Sequence, residues 1–202
     1  MIIEALRKLI SGQNLEKEEM KSIMNEIMEG RLPESQISAF LVALRMKGET
    51  IDEITSAVEV LKEKAKKLYL DKNVIDIVGT GGDKSNTFNI STAAAFVVAA
   101  GGVGVAKHGN RSASSKSGAA DILEVLGANI DLDCHQNKIM LEKTNLCFMF
   151  AVKYNPLIKN VLKVRREIKV RTIFNALGPL INPSNAKMQL IGVYDKSLVV
   201  PI

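Results

Sequence analysis

Apolar residues change their spacing once along this chain, near residue 71. Over the first 70 positions the period is helical. Met20, Ile23, Met24, Ile27 and Met28 recur at i, i+3, i+4, i+7 and i+8, which puts one apolar stripe along a helix. Asn14 predicts the N-cap of that helix, ahead of an acidic first turn of Glu16, Glu18 and Glu19, and Gly30 predicts its stop. Residues 1–10 read as an earlier amphipathic helix, because Glu4, Arg7 and Lys8 interrupt the apolar run that a signal peptide would need. A third helix is predicted from Pro33, at its first position, to Gly48. Thr50 and Glu53 form a capping box that opens a fourth, on which Ile51, Ile54, Val58, Leu61 and Ala65 share a face. Four helices with short loops predict a small bundle. The methionine stripe is read as core packing, with a partner-binding surface as the alternative.

Beyond residue 71 the pattern shortens. Val74, Ile75, Ile77 and Val78 form a β-branched run that breaks into Gly79-Thr80-Gly81-Gly82-Asp83, a strand followed by a glycine-rich loop. Helices are then predicted over 93–100 and 118–126, and strands over 103–106, 147–152 and 190–194. Alternation of this kind implies a largely parallel sheet with helices on its faces. The expected fold class is α/β, with a small helical bundle over 1–70 and a largely parallel α/β domain over 71–202. Residues 198–202 run Leu-Val-Val-Pro-Ile to the end, and the expectation is a chain cut short inside its α/β domain.

Composition narrows the function. The 202 residues correspond to roughly one to two domains. With 47% hydrophobic and 24% charged residues, the chain is neither disordered nor collagen-like nor a coiled coil. Its longest apolar stretch, 93–106, contains three glycines and is too short to span a bilayer, so no membrane association is expected. A net charge of +5 suits an anionic ligand but is too mild to argue for nucleic acid, and the absence of Trp leaves no base-stacking platform. Cys134 and Cys147 cannot build a disulfide framework and, with His108 and His135, match no zinc spacing; a reducing cytoplasm is expected.

Three loops carry candidate chemistry. Gly79–Asp83 follows a buried strand, where backbone N–H groups can close on a phosphate. It lacks the third glycine of a dinucleotide fingerprint and the Gly-Lys-Ser/Thr of a nucleotide P-loop; a plain tight turn is the other reading. Thr87–Thr92 precedes a helix whose N-terminus favours an anion, and Ser91 or Thr92 could equally be its N-cap. The segment from Lys107 to Gly118 holds three cations, four serines and two glycines, with no apolar side chain larger than Ala. A polyanion would order it through Lys, hydroxyl and amide donors; a flexible polar loop is the alternative. Arg165, Arg166 or Arg171 could hold a substrate carboxylate bidentately, or form a solvated basic face.

Taken in order, Gly79–Asp83, Thr87–Thr92, Lys107–Gly118 and Arg171-Thr-Ile-Phe-Asn-Ala-Leu-Gly-Pro-Leu-Ile-Asn-Pro183 resemble the anthranilate phosphoribosyltransferase family of tryptophan biosynthesis. The likeness covers the whole chain and implies a nucleoside phosphorylase/phosphoribosyltransferase-like fold. It implies transfer of the phosphoribosyl group of phosphoribosyl pyrophosphate to the amine of anthranilate, with Mg²⁺ and release of pyrophosphate. The residues it implies around phosphoribosyl pyrophosphate are Gly79, Gly82, Asp83, Thr87, Asn89, Ile90, Ser91, Thr92, Lys107, His108, Gly109, Asn110, Arg111, Ser112, Ala113, Ser114, Ser115 and Ala119. Gly79, Asn110 and Arg165 would hold anthranilate and Ser91 would ligate Mg²⁺, with no residue assigned as general base. A homodimer through the helical part is also implied. The chain departs from the family at Asn155, where a histidine is frequent, at Ala119, where a serine is frequent, and in lacking a downstream Asp-Glu pair for Mg²⁺, for which Asp52-Glu53 cannot substitute because it opens a bundle helix.

Competing readings are a nucleoside phosphorylase, whose signature loops are not seen, a non-catalytic nucleic-acid-binding relative, and an inactive fragment. The mild charge and the intact 107–118 loop count against the nucleic-acid reading.

Overall fold

The computed structural model describes residues 1–81, 87–112 and 117–202. Helices α1 (Ile2–Ile10), α2 (Lys17–Met28), α3 (Glu34–Lys47) and α4 (Ile51–Lys64) come first. The five residues of the methionine-rich stripe are wholly buried, so the helical period does report the core. Gly30 follows α2 at φ +70, a left-handed backbone that glycine adopts without a Cβ penalty. The start of α2 differs from expectation. Glu16 is its N-cap and its backbone N–H donates to Glu19, while Asn14 accepts from Lys47 Nζ at 3.0 Å.

The face of α4 is rotated by one position relative to its apolar pattern. Ile51 is half exposed, and the buried side is Glu53, Ile54, Ala57, Val60 and Leu61, with Val58 at its edge. Glu53 explains the rotation. Besides closing the capping box with Thr50, its carboxylate accepts the Leu15 N–H at 3.0 Å and Lys47 Nζ at 2.9 Å, with no solvent exposure. A buried carboxylate with that many donors dictates which side of the helix turns inward. Pro33 likewise caps α3 rather than occupying its first turn.

The second part alternates as expected: β1 (Ile75–Gly79), α5 (Ile90–Ala100), β2 (Val105–Gly109), α6 (Ala119–Val125), α7 (Cys134–Thr144), β3 (Leu146–Phe150), α8 (Ala151–Tyr154), α9 (Lys159–Ile168), α10 (Ile173–Leu180) and β4 (Met188–Gly192). The sheet is parallel throughout, in the order β3-β2-β1-β4. Strand limits shift by one to three residues from expectation. Gly102 at φ +90 turns the chain before β2, α8 begins at Ala151 and so ends β3 early, and the pairing Gly79↔Gly192 closes β4. Helix α7 lies outside the expected elements; its signal is Asp133 three residues before Gln136, a reciprocal cap in which each backbone N–H finds the other side chain.

Helices α9 and α10 pack into the same core as α1–α4, through Val161, Val164, Ile173, Phe174, Leu177 and Ile181. The helical layer therefore draws on both halves of the sequence. Smaller apolar clusters cover the sheet: Ala95, Ala99 and Val105 on one side of β2, and Leu141, Cys147, Met149 and Tyr154 around β3. Among the described residues no helix is long and apolar enough to cross a membrane.

Glu53→Ala should lower stability by about 3–5 kcal/mol, because it leaves the buried Lys47 ammonium without its counter-ion and the Leu15 N–H without its acceptor. Urea denaturation checks this, and an unchanged midpoint would show the cluster to be dispensable.

Candidate functional site

The parallel register brings Gly79, Gly109 and Gly192 to one edge of the sheet, at the carboxyl ends of the strands. After β1, Thr80 is buried and tied to the exit of β4: its N–H donates to the Gly192 carbonyl at 2.9 Å and its Oγ1 accepts the Tyr194 N–H at 3.0 Å. Gly81, at φ +63, turns its carbonyl to Arg171 Nη1 at 2.5 Å. That guanidinium stacks 3.5 Å from the Tyr194 ring centroid.

Asn89 caps α5. Its Oδ1 accepts the Thr92 N–H at 3.0 Å and the Ser91 hydroxyl at 3.1 Å, so neither Ser91 nor Thr92 is the cap. Beside them, from β2, Lys107 carries its ammonium to the Ile77 carbonyl at 2.6 Å and to Ser91 Oγ at 3.3 Å. Only 2% of Lys107 is exposed. Burial lowers its pKa to about 8, opposed by the charge of Asp76. The group thus remains mainly a cation at pH 7, next to the positive end of an 11-residue helix. That combination is a place for an anion.

Beneath it lie two further buried groups. Asp76 of β1 accepts the His108 N–H at 3.4 Å, and its Oδ2 has no hydrogen-bond partner among the described residues. Burial raises its pKa, against the opposing pull of the Asn182 side chain and Lys107. A charged residue inside a β-branched run is the sequence signal for it. His108 is pushed down to about 4 by burial, with Nδ1 3.3 Å from the Gly178 carbonyl of α10, so the neutral imidazole lies inside the protein.

The other expected residues divide. Thr87 and Ile90 are exposed beside the start of α5, while Thr92 is buried with an Oγ1 that has no partner among the described residues. Asn110 leads out of β2, and its carbonyl accepts the Ala120 N–H at 3.3 Å, which brings Ala119 alongside. The Gly109 position is tight, since a Cβ there would lie 2.9 Å from the Phe148 ring. Arg111 pairs with Asp121 and Glu124 of α6. Arg165, on α9, holds its guanidinium 5.5 Å above the Phe174 ring, with no hydrogen bond or ion pair among the described residues, and burial lowers its pKa. No hydrogen bond joins it to Gly79 or Asn110. Gly82, Asp83, Ala113, Ser114 and Ser115 lie outside the described residues. Asn155 is buried and donates to the Leu61 carbonyl of α4 at 3.2 Å, at the seam between the helical layer and the sheet.

Among the described residues no group of three His, Cys, Asp or Glu is placed to hold a metal ion. Ser91 offers a single hydroxyl. That fits Mg²⁺ only as an ion held chiefly by a ligand's phosphates and water.

A helical bundle followed by a parallel α/β part is also what two family models that match this chain describe. Residues 3–65 match the helical bundle domain of the glycosyl transferase family, and residues 71–202 match its a/b domain. The chain belongs to this glycosyl transferase family. Within it, the similarity runs to anthranilate phosphoribosyltransferases. That of Ruminiclostridium cellulolyticum is 56% identical over all 202 residues, which cover 59% of the relative. The crystal structure of the Thermus thermophilus enzyme superposes with a TM-score of 0.88 at 41% identity, over 98% of this chain and 60% of that one. The Saccharomyces cerevisiae enzyme, solved in complex with PRPP and Mg, gives 0.89 at 28% identity, over 99% and 60%. The chain thus spans about 60% of the length of these relatives.

Because the folded imidazole of His108 resists protonation, the unfolded chain takes up a proton between pH 6.5 and about 4 that the folded one refuses. Stability contributed by the neutral imidazole is complete above pH 6.5 and falls as the pH drops toward 4, by on the order of 3 kcal/mol. Asp76, with its raised pKa, acts in the opposite sense in acid. Melting temperature against pH should therefore fall less steeply in His108→Gln than in the parent; parallel curves would refute this.

Proposed function

We propose that this chain carries the ligand-binding core of an anthranilate phosphoribosyltransferase, transferring the phosphoribosyl group of phosphoribosyl pyrophosphate to the amine of anthranilate and releasing pyrophosphate. The observation that bears most weight is the Lys107 ammonium 3.3 Å from Ser91 Oγ at the N-terminus of α5. On this reading the diphosphate lies against Lys107, Ser91 and Asn89, and Gly79, Gly82, Asp83, Thr87 and the backbone from Gly109 to Ser115 complete its surroundings. Mg²⁺ rides on the diphosphate with Ser91 as a protein ligand and supplies countercharge.

Arg165 and Asn110 hold anthranilate, the arginine through the carboxylate. A guanidinium fixed over an aromatic ring, with no ion pair among the described residues, is suited to a planar two-oxygen anion. The aromatic amine is already neutral at pH 7. Its nitrogen forms the new bond to the ribose as the bond to the diphosphate breaks, and the surplus proton passes to solvent. The site orients the amine and stabilises the charge that gathers on the departing diphosphate, where Lys107 and the helix dipole act. No general base is needed. The helical part, residues 1–70, serves a homodimer, and the reaction belongs to the cytoplasm.

Adding phosphoribosyl pyrophosphate and Mg²⁺ to anthranilate with this chain should quench anthranilate fluorescence. No loss with this chain, nor with one continued to the length of its relatives, would overturn the reading. In whichever chain turns over, Arg165→Ala should raise the KM for anthranilate about tenfold or more and leave that for phosphoribosyl pyrophosphate nearly unchanged. Equal effects on both would remove Arg165 from the acceptor site.

A further inference from the structure

A single carboxylate ties together the two ends of the serine-rich segment that follows β2. Asp121, in the first turn of α6, accepts the backbone N–H of Ser112 at 3.0 Å and of Gly118 at 2.7 Å on the same oxygen, Oδ2. Its other oxygen lies 3.3 Å from Arg111 Nη1. Arg111 is in turn gripped by both oxygens of Glu124, Nη2 to Oε1 at 2.8 Å and Nη1 to Oε2, and lies 5.7 Å from the Phe150 ring centroid. Glycine at 118 makes the approach possible: a Cβ there would fall 2.6 Å from the Asn110 carbonyl oxygen and press into the Ser112 N–H. Partial burial pushes the Asp121 carboxyl upward, but the two N–H donors and Arg111 outweigh it and hold its pKa below the ordinary value. The clasp is anionic at neutral pH.

We propose that Asp121 is a positioning residue of the ligand site, holding the backbone of Asn110, Arg111 and Ser112 in the arrangement that receives phosphoribosyl pyrophosphate. Arg111 belongs to this clasp: its guanidinium acts on Asp121 and Glu124, and it serves the ligand through its backbone. The inference rests on the function proposed above. Its physical basis is that charge-assisted bonds to Asp121 hold the backbone at Ser112 and Gly118 before the ligand arrives, so less conformational freedom is lost there on binding.

Calorimetric titration of phosphoribosyl pyrophosphate with Mg²⁺ into the chain tests this, alongside amide hydrogen exchange and thermal melting. Asp121→Asn should weaken binding about tenfold or more, speed exchange at Ser112 and Gly118, and leave the melting temperature within a few degrees. Gly118→Ala, which forces the stems apart from the opposite side, should produce the same loss of affinity and serves if Asp121→Asn fails to fold. Affinity equal to the parent in either folded variant overturns the inference, even where the melting temperature falls, since that is the mark of a purely structural contact. A parent chain that binds no phosphoribosyl pyrophosphate overturns the functional reading and this inference with it; a parent that binds beside an unchanged variant overturns this inference alone.

Discussion

Lys107 carries its ammonium where water barely reaches, and a charge in that position must be met on every side by dipoles or ions. The Ile77 carbonyl, the Ser91 hydroxyl and the nearby Asp76 do this, and they come from different places in the fold. β1 contributes the carbonyl and the carboxylate, α5 the hydroxyl, β2 the lysine itself. Such a charge is held only if the parallel register of β1 and β2 is correct. A slip of one residue would turn Lys107 to the other face and leave Asp76 buried without its cation. The same constraint reaches α10 through His108 and the Gly178 carbonyl, and the loop after α10 through Asn182, whose Nδ2 donates to the Ala106 carbonyl at 2.9 Å.

The helical layer follows a similar logic at a different place. Its apolar core could be assembled from several rotations of α4, because Ile51 and Val58 would serve as well as Ala57 and Val60 in a pattern of hydrophobic and polar positions. Glu53 removes the ambiguity: a carboxylate facing Leu15, Thr50 and Lys47 admits one rotation. In both layers, then, apolar burial supplies the driving force and a buried charged group selects one arrangement among those that burial alone would allow. Docking of α9 and α10 on the first four helices ties the two layers together and sets Arg165 over Phe174.

Much of this is legible in the sequence. The helical stripe through Met20 and Met28, the Thr50–Glu53 capping box, the change of period near residue 71 and the parallel sheet all follow from spacing, since a helix or strand must bury one face and its period is local. So does the turn at Gly81 just after β1. Resemblance in four short segments points to relatives inside the glycosyl transferase family to which the chain belongs.

What spacing leaves undetermined is decided by partners far away in sequence. Nothing near Asp76 indicates that it lies close to Lys107, thirty-one positions on, and nothing near His108 indicates that its imidazole is buried against a carbonyl of α10. Nothing near Arg111 indicates that Asp121 and Glu124 of the next helix take its guanidinium. The N-cap of α2 is Glu16 rather than Asn14 because Lys47, on another helix, engages Asn14. Local pattern determines which residues can be buried and where the chain must turn, because those depend on neighbours within a few positions. Which buried charge meets which partner is a matter of desolvation balanced across elements, and that balance exists only once the chain has folded.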